Sequence, residues 1–202
     1  MSIAFLYAGQ GSQHPGMGAD LYETYPQFRA VLDGADLDFD VKEVSFQDSQ
    51  GVLNETRYTQ PCMVAFAVGV TQILNHEGIR PDYVAGLSLG EYSALQAAGV
   101  FTPQQAISLV AFRGKVMAEA AKGVPCGMTA VLGLDREKLE QACDEASALG
   151  VVCIANYNCP GQLVIGGHQE AVDEAARLAK EMGARRCMPL KVSGPFHTPL
   201  LK

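Results

Sequence analysis

The chain has no tryptophan, no C-x-x-C pair, no excess of positive charge and no apolar run approaching the ~20 residues of a membrane span. Each absence excludes something. The cysteines, at 62, 126, 143, 153, 159 and 187, lack the paired Cys/His spacing of structural zinc sites and read as buried thiols of a reducing compartment. Fifteen Lys and Arg against 22 Asp and Glu leave a formal charge of −7, a sign that repels phosphate backbones and anionic lipid, so neither nucleic acid nor membrane is expected as a partner. The N-terminal stretch from Met1 to Gly16 has no basic segment ahead of its apolar residues, and those residues are too few for a secretion signal. A cytoplasmic protein is the expectation. What is present suits a packed interior: 202 residues, 48% of them apolar and 18% charged, form a chain able to bury roughly 70% of its unfolded surface.

Short apolar runs that end in glycine-rich turns set the organisation. Residues 2–7 read as a buried strand feeding the turn Ala8-Gly9-Gln10-Gly11-Ser12, and a helix is predicted from about Gly18 to Leu32. Thr59-Gln60-Pro61 opens a long apolar helix to Gly78, with Pro61 suited to its first turn. Asp82 to Gly86 is a strand running directly into Leu87-Ser88-Leu89-Gly90-Glu91 and a small-residue helix; Thr102-Pro103 then caps a helix to about Ala121. From Gly127 onward strands and helices alternate in the βαββαβ order of a ferredoxin-like unit. The fold expected is therefore α/β, with a catalytic core over residues 1–124, an inserted small subdomain over 125–193 and a return to the core over 194–202.

Gly86-Leu87-Ser88-Leu89-Gly90 is a G-x-S-x-G match in the strand–turn–helix setting of a nucleophile elbow, where the alternative is a plain turn serine. A serine hydroxyl needs a base, and His197, in Ser193-Gly194-Pro195-Phe196-His197, is the leading candidate if it is not simply a solvated imidazole. His14 follows the first turn and is placed to line the same crevice, whereas His76 and His168 read as solvated or capping. The backbone N–H groups of Gln10 and Leu89 are placed to form an oxyanion hole, if the first turn is more than a bare glycine turn. Arg113, in an apolar and small stretch, suits a reader of a carboxylate or a surface residue at a helix edge. Glu91 and Gln60 read as structural residues, capping or bracing the elbow.

Taken together, Gly9-Gln10-Gly11-Ser12-Gln13, Gly86 to Leu95, Arg113 and Gly194-Pro195-Phe196-His197 resemble, in order and spacing, the malonyl-CoA:acyl carrier protein transacylase family. Thr59-Gln60-Pro61 and Asn156 to Gln162 match further stretches of that family, so the resemblance covers essentially the whole chain. It implies a hydrolase-like parallel-sheet core with an inserted ferredoxin-like lobe. It also implies malonyl-CoA as substrate, acyl carrier protein as partner, no resident cofactor and no metal. In this reading Ser88 carries the acyl group, His197 is its base, Gln10 and Leu89 hold the oxyanion, and Arg113 clamps the malonyl carboxylate. Phe196 would disfavour a branched acyl group by crowding.

Three departures stand out. Leu87 occupies a position where the family commonly has histidine, and Ala8 one where it commonly has proline. The chain also stops a few residues past His197, so a C-terminally truncated member is expected, with apolar surface uncovered and the base lacking an orienting partner. Two other functions remain open from the residues: a serine esterase or thioesterase, indifferent to Arg113, and an inactive fragment that binds carrier protein or coenzyme A. A docking patch for an acidic carrier is assigned to Lys180, Arg185, Arg186, Lys191 and Lys202.

Overall fold

The computed structural model describes residues 2–190, 192 and 194–201. Two compact units divide the chain, residues 1–116 and 117–202. In the first, strand β1 (Ala4–Tyr7) is followed by helices α1 (Ala19–Thr24), α2 (Pro26–Asp33) and α3 (Thr56–His76), then strand β2 (Tyr83–Gly86) and helices α4 (Gly90–Ala97) and α5 (Pro103–Ala120), the last running on into the second unit.

The single helix expected over 18–32 is two helices. Tyr25 is extended at φ −114°, as a residue before proline tends to be, and Pro26 then starts α2 at its first position. Pro61 differs from expectation too: α3 begins at Thr56, so Pro61 lies inside it, one turn beyond the start. The Thr102 start of α5 is a reciprocal cap, with Thr102 N–H donating to Gln105 Oε1 at 2.9 Å and Gln105 N–H to Thr102 Oγ1 at 3.2 Å.

β1 and β2 pair in parallel, from Ala4 opposite Tyr83 to Tyr7 opposite Gly86. Their carboxyl ends are therefore level, and the turns that follow them leave from the same edge. Tyr7 ties the strand to α3 through a 2.8 Å bond between its hydroxyl and Thr71 Oγ1. The core of the unit gathers around Phe28, Leu53, Val64, Val68 and Ile107. Phe28 meets Phe66 edge-to-face at 5.8 Å, a contact that leaves no room for a side chain at Gly69. Alternate strand residues stay outside this core, and Leu6 and Tyr83 are 80% and 68% exposed.

In the second unit, β3 (Cys126–Leu132), α6 (Arg136–Ala146), β4 (Val152–Cys159), β5 (Gln162–His168), α7 (Gln169–Glu181) and β6 (Arg186–Pro189) form an antiparallel sheet of order β4-β5-β3-β6 with two helices. The pleat sends alternate residues to opposite faces. Val131, Leu163 and Ile165 meet α6 and α7, while Met128, Ala130 and Val164 pack with Phe196 and Leu201. Residues 194–201 accordingly cluster with this unit.

The thiols divide by burial. Burial pushes Cys62 and Cys143 up to about 12, whereas Cys159, expected to be buried, is exposed at the β4–β5 hairpin where the chain must turn through Pro160 and Gly161. Since the thiolate is the reactive species, iodoacetamide at pH 8 is expected to modify Cys159 first and to spare Cys62 and Cys143 in the folded chain, as mapped by peptide mass spectrometry. Equal labelling of Cys62 and Cys159 would contradict the packing.

Candidate functional site

The turn after β2 carries Ser88 at φ +53°, a left-handed conformation that costs a β-carbon-bearing residue about 1–3 kcal/mol. Two glycines make it possible. A Cβ on Gly86 would lie 2.1 Å from the Gly90 carbonyl, and one on Gly90 would lie 2.2 Å from the Tyr7 carbonyl oxygen. The chain thus folds back on itself, and α4 starts hard against the end of β1. Ser88 is presented just ahead of the amino end of α4, the positive end of the helix dipole, where the Gly90, Glu91 and Tyr92 N–H groups turn back onto the Leu87, Ser88 and Leu89 carbonyls at 2.9, 3.2 and 3.2 Å.

The first turn abuts the second. Leu87 N–H donates to the Tyr7 carbonyl at 3.2 Å, and a Cβ on Gly9 would sit 3.1 Å from the Leu87 oxygen. Gln10 is held from the side, its Nε2 donating to Thr56 Oγ1 at 3.2 Å, and the turn is closed by Gly11 N–H to Gln13 Oε1 at 2.8 Å. The backbone N–H groups of Gln10 and Leu89 donate to no acceptor among the described residues. Leu89 itself is buried, while Leu87 faces outward.

Arg113 reaches this place because α5 can approach α3 closely: a Cβ on Gly114 would be 2.9 Å from the Thr56 carbonyl. From there Arg113 Nη2 donates to Ser88 Oγ at 3.2 Å, and the guanidinium carbon lies 5.5 Å from the centre of the Tyr92 ring. Ser88, Gln10, Leu89 and Arg113 all belong to the first unit.

His197 and Phe196 belong to the second. His197 is exposed and takes φ +61°, flanked by buried Phe196 and by buried Thr198, whose hydroxyl donates to the Pro195 carbonyl at 2.6 Å. Only three non-glycine residues among those described have positive φ, and two of them are Ser88 and His197. Such outliers concentrate at functional sites. His14 is exposed with Nδ1 3.1 Å from the Pro15 carbonyl, and His168 Nδ1 accepts the Val151 N–H at 2.9 Å as part of the α7 start. Of the proposed docking patch, Lys180, Arg185 and Arg186 are exposed, and Lys191 and Lys202 lie outside the described residues. Among the described residues no three His, Cys, Asp or Glu side chains cluster to hold a metal ion, and no helix is long and apolar enough to cross a membrane.

Comparison with known proteins now decides the family, since the acyl transferase domain matches residues 4–201. The chain belongs to that family. It is 44% identical to the malonyl CoA-acyl carrier protein transacylase of Bacillus subtilis over 99% of its own length and 64% of that protein's. Among solved structures, the Streptococcus pneumoniae MCAT aligns with a TM-score of 0.92 at 50% identity, covering 99% of this chain and 66% of that one. A malonyl-transacylase in complex with a type II PKS acyl-carrier protein aligns at 0.95 and 40% identity, over 100% of this chain and 66% of that one. This acyl transferase chain thus spans slightly under two thirds of the length of these relatives.

Two contacts in the candidate site were not anticipated from sequence. Thr56 supports Gln10 from 46 residues away and left no local signal. Tyr92 did leave one, standing four residues after Ser88 and so one helical turn on. The glycine constraint generates a direct test. Gly90→Ala forces a methyl into the Tyr7 carbonyl and is expected to lower stability by at least ~1–3 kcal/mol, read as a drop in the urea midpoint. An unchanged midpoint would refute the close approach.

Proposed function

We propose that this chain transfers a malonyl group from malonyl-CoA to the phosphopantetheine thiol of an acyl carrier protein, through a malonyl ester on Ser88. It is in that reading an [acyl-carrier-protein] S-malonyltransferase of fatty acid or polyketide synthesis, acting in the cytoplasm without a resident cofactor. The observation that carries it is the strained Ser88 hydroxyl with a guanidinium 3.2 Å away. A malonyl thioester calls for both: a nucleophile for its thioester carbonyl and, one methylene on, a cation for its free carboxylate.

In the proposed reaction His197 takes the Ser88 proton as Oγ attacks the thioester carbonyl, and the N–H groups of Gln10 and Leu89 receive the developing oxyanion. The carbon–sulfur bond then breaks, and coenzyme A leaves as the thiol with the proton from the imidazolium. The carrier thiol reverses these steps: it gives its proton to His197, attacks the ester, and Ser88 leaves reprotonated. Arg113 changes partner along the way, releasing Oγ as its fork engages the malonyl carboxylate. Phe196, next to His197 in sequence and buried against Met128, Ala130 and Val164, is proposed to limit room for a branched acyl group.

The architecture supports the same reading. The strand–elbow–helix arrangement of the first unit suits a hydrolase-like core, and the β4-β5-β3-β6 order suits a ferredoxin-like lobe. Residues 1–124, 125–193 and 194–202 are the proposed division into core, lobe and return to the core. Exposed Lys180, Arg185 and Arg186 are proposed contacts for the acidic carrier.

Mixing the chain with malonyl-CoA is expected to leave a malonyl adduct on Ser88, detected by peptide mass spectrometry and missing in Ser88→Ala. Hydrolysis too rapid for any adduct to accumulate would point instead to a thioesterase. Arg113→Ala is expected to slow acylation by malonyl-CoA about 10- to 100-fold while leaving acetyl-CoA nearly unaffected, because only malonate offers a carboxylate to the guanidinium. Equal losses for the two donors would remove Arg113 from the role.

A further inference from the structure

Arg113 is half-buried, yet the ion pairs of the described residues leave it out. Its contacts are the Ser88 hydroxyl and the face of Tyr92. The cation–ring distance of 5.5 Å is within the ~6 Å over which the ring's negative face attracts a cation. Ser88 and Tyr92 stand four residues apart at the start of α4, so one short stretch supplies both the hydroxyl and the ring that meet the guanidinium.

Resting on the malonyl-transfer reading, we infer that Tyr92 is a positioning residue that sets selectivity for an acyl group with a second carboxylate. The reason lies in what each kind of neighbour would do to Arg113. A carboxylate in place of Tyr92 would hold the guanidinium but neutralise it and occupy its donors, leaving nothing for an anionic substrate. An aliphatic side chain would leave the long arginine free to sample other rotamers. The ring face does neither. It attracts the cation through its quadrupole, orients the planar fork and takes up no N–H donor, so the charge stays available beside Oγ.

The test compares Tyr92→Phe, which keeps the ring, with Tyr92→Leu, which keeps only apolar bulk. Ser88 acylation rates by malonyl-CoA and acetyl-CoA are measured over a range of donor concentrations. Tyr92→Leu is expected to lower the malonyl-to-acetyl preference roughly 3- to 30-fold, chiefly by raising the malonyl-CoA concentration for half-maximal rate, whereas Tyr92→Phe stays within about twofold of the parent. A second readout needs no turnover. The Arg113 Nε–H resonance should be shifted upfield by the ring in the parent and in Tyr92→Phe, lose that shift in Tyr92→Leu, and respond more weakly there to added monomethyl malonate. A malonyl preference unchanged in Tyr92→Leu overturns the inference. So does a Tyr92→Phe loss as large as that of Tyr92→Leu, or an Arg113 resonance indifferent to both substitutions. Absence of any malonyl adduct in the parent instead overturns the transfer reading, while the resonance shift still reports the ring contact; an Arg113→Ala chain that still prefers malonyl-CoA removes Arg113, and Tyr92 with it, from the selectivity.

Discussion

The site depends on one steric fact: there is no space for a β-carbon where Gly90 passes the end of β1, or where Gly86 passes Gly90. Because the two backbones touch there, the residue between the glycines cannot relax into an ordinary helical or extended conformation. Ser88 is held at φ +53° by its surroundings rather than by its own preference. The parallel register matters for the same reason. With Tyr7 level with Gly86, the Tyr7 carbonyl is available both to accept the Leu87 N–H and to wall off Gly90. A slip of one residue would move both contacts away from the elbow.

A second close approach governs the charge. Gly114 lets α5 settle against the first turn of α3, and on either side of it stand two cations with different fates. Lys115 joins Arg57 on Asp38 at 2.8 and 2.7 Å, in an exposed cluster whose screening by water makes it worth little to stability. Arg113 points to the elbow and meets a hydroxyl and a ring. The chain carries more acidic than basic groups, and yet none of its carboxylates is spent on this guanidinium among the described residues. Leaving a partly buried cation without a counter-ion is costly. The expense is understandable where an incoming anion completes the pair.

How much of this was legible in the sequence follows from the range of the interaction concerned. The elbow was readable because its requirement is local: glycines two before and two after a serine, between an apolar strand and a small-residue helix. Local chemistry also decides the break at Pro26, which the single helix expected over 18–32 runs across although proline there restricts Tyr25. Nothing local announces that Thr56 should support Gln10, since the two meet only after α3 has packed beside the first turn. The exposure of Cys159 likewise reflects a hairpin tip, while hydrophobic scales rank cysteine as an interior residue. Fold class, the G-x-S-x-G turn and the arginine emerged from pattern; the contacts that orient them required three dimensions.

The return segment in the second unit extends the argument about strain. The sheet has two apolar faces, and with α6 and α7 on one, Phe196 and Leu201 fill part of the other. Burying Phe196 and Thr198 on either side leaves His197 between them exposed, with its backbone already committed at φ +61°. The Thr198 hydroxyl, bonded back to the Pro195 carbonyl, closes this bend over four residues. An imidazole could be displayed from an unstrained loop at lower energy, and loops of that kind move. Buried neighbours restrict His197 to a narrow range of backbone conformations, as the paired glycines restrict Ser88. The elbow and the bend, built on unrelated elements, thus use the same device: packing that overrules the residue's own preference; in the proposed transfer this leaves less ordering to be done when a substrate arrives.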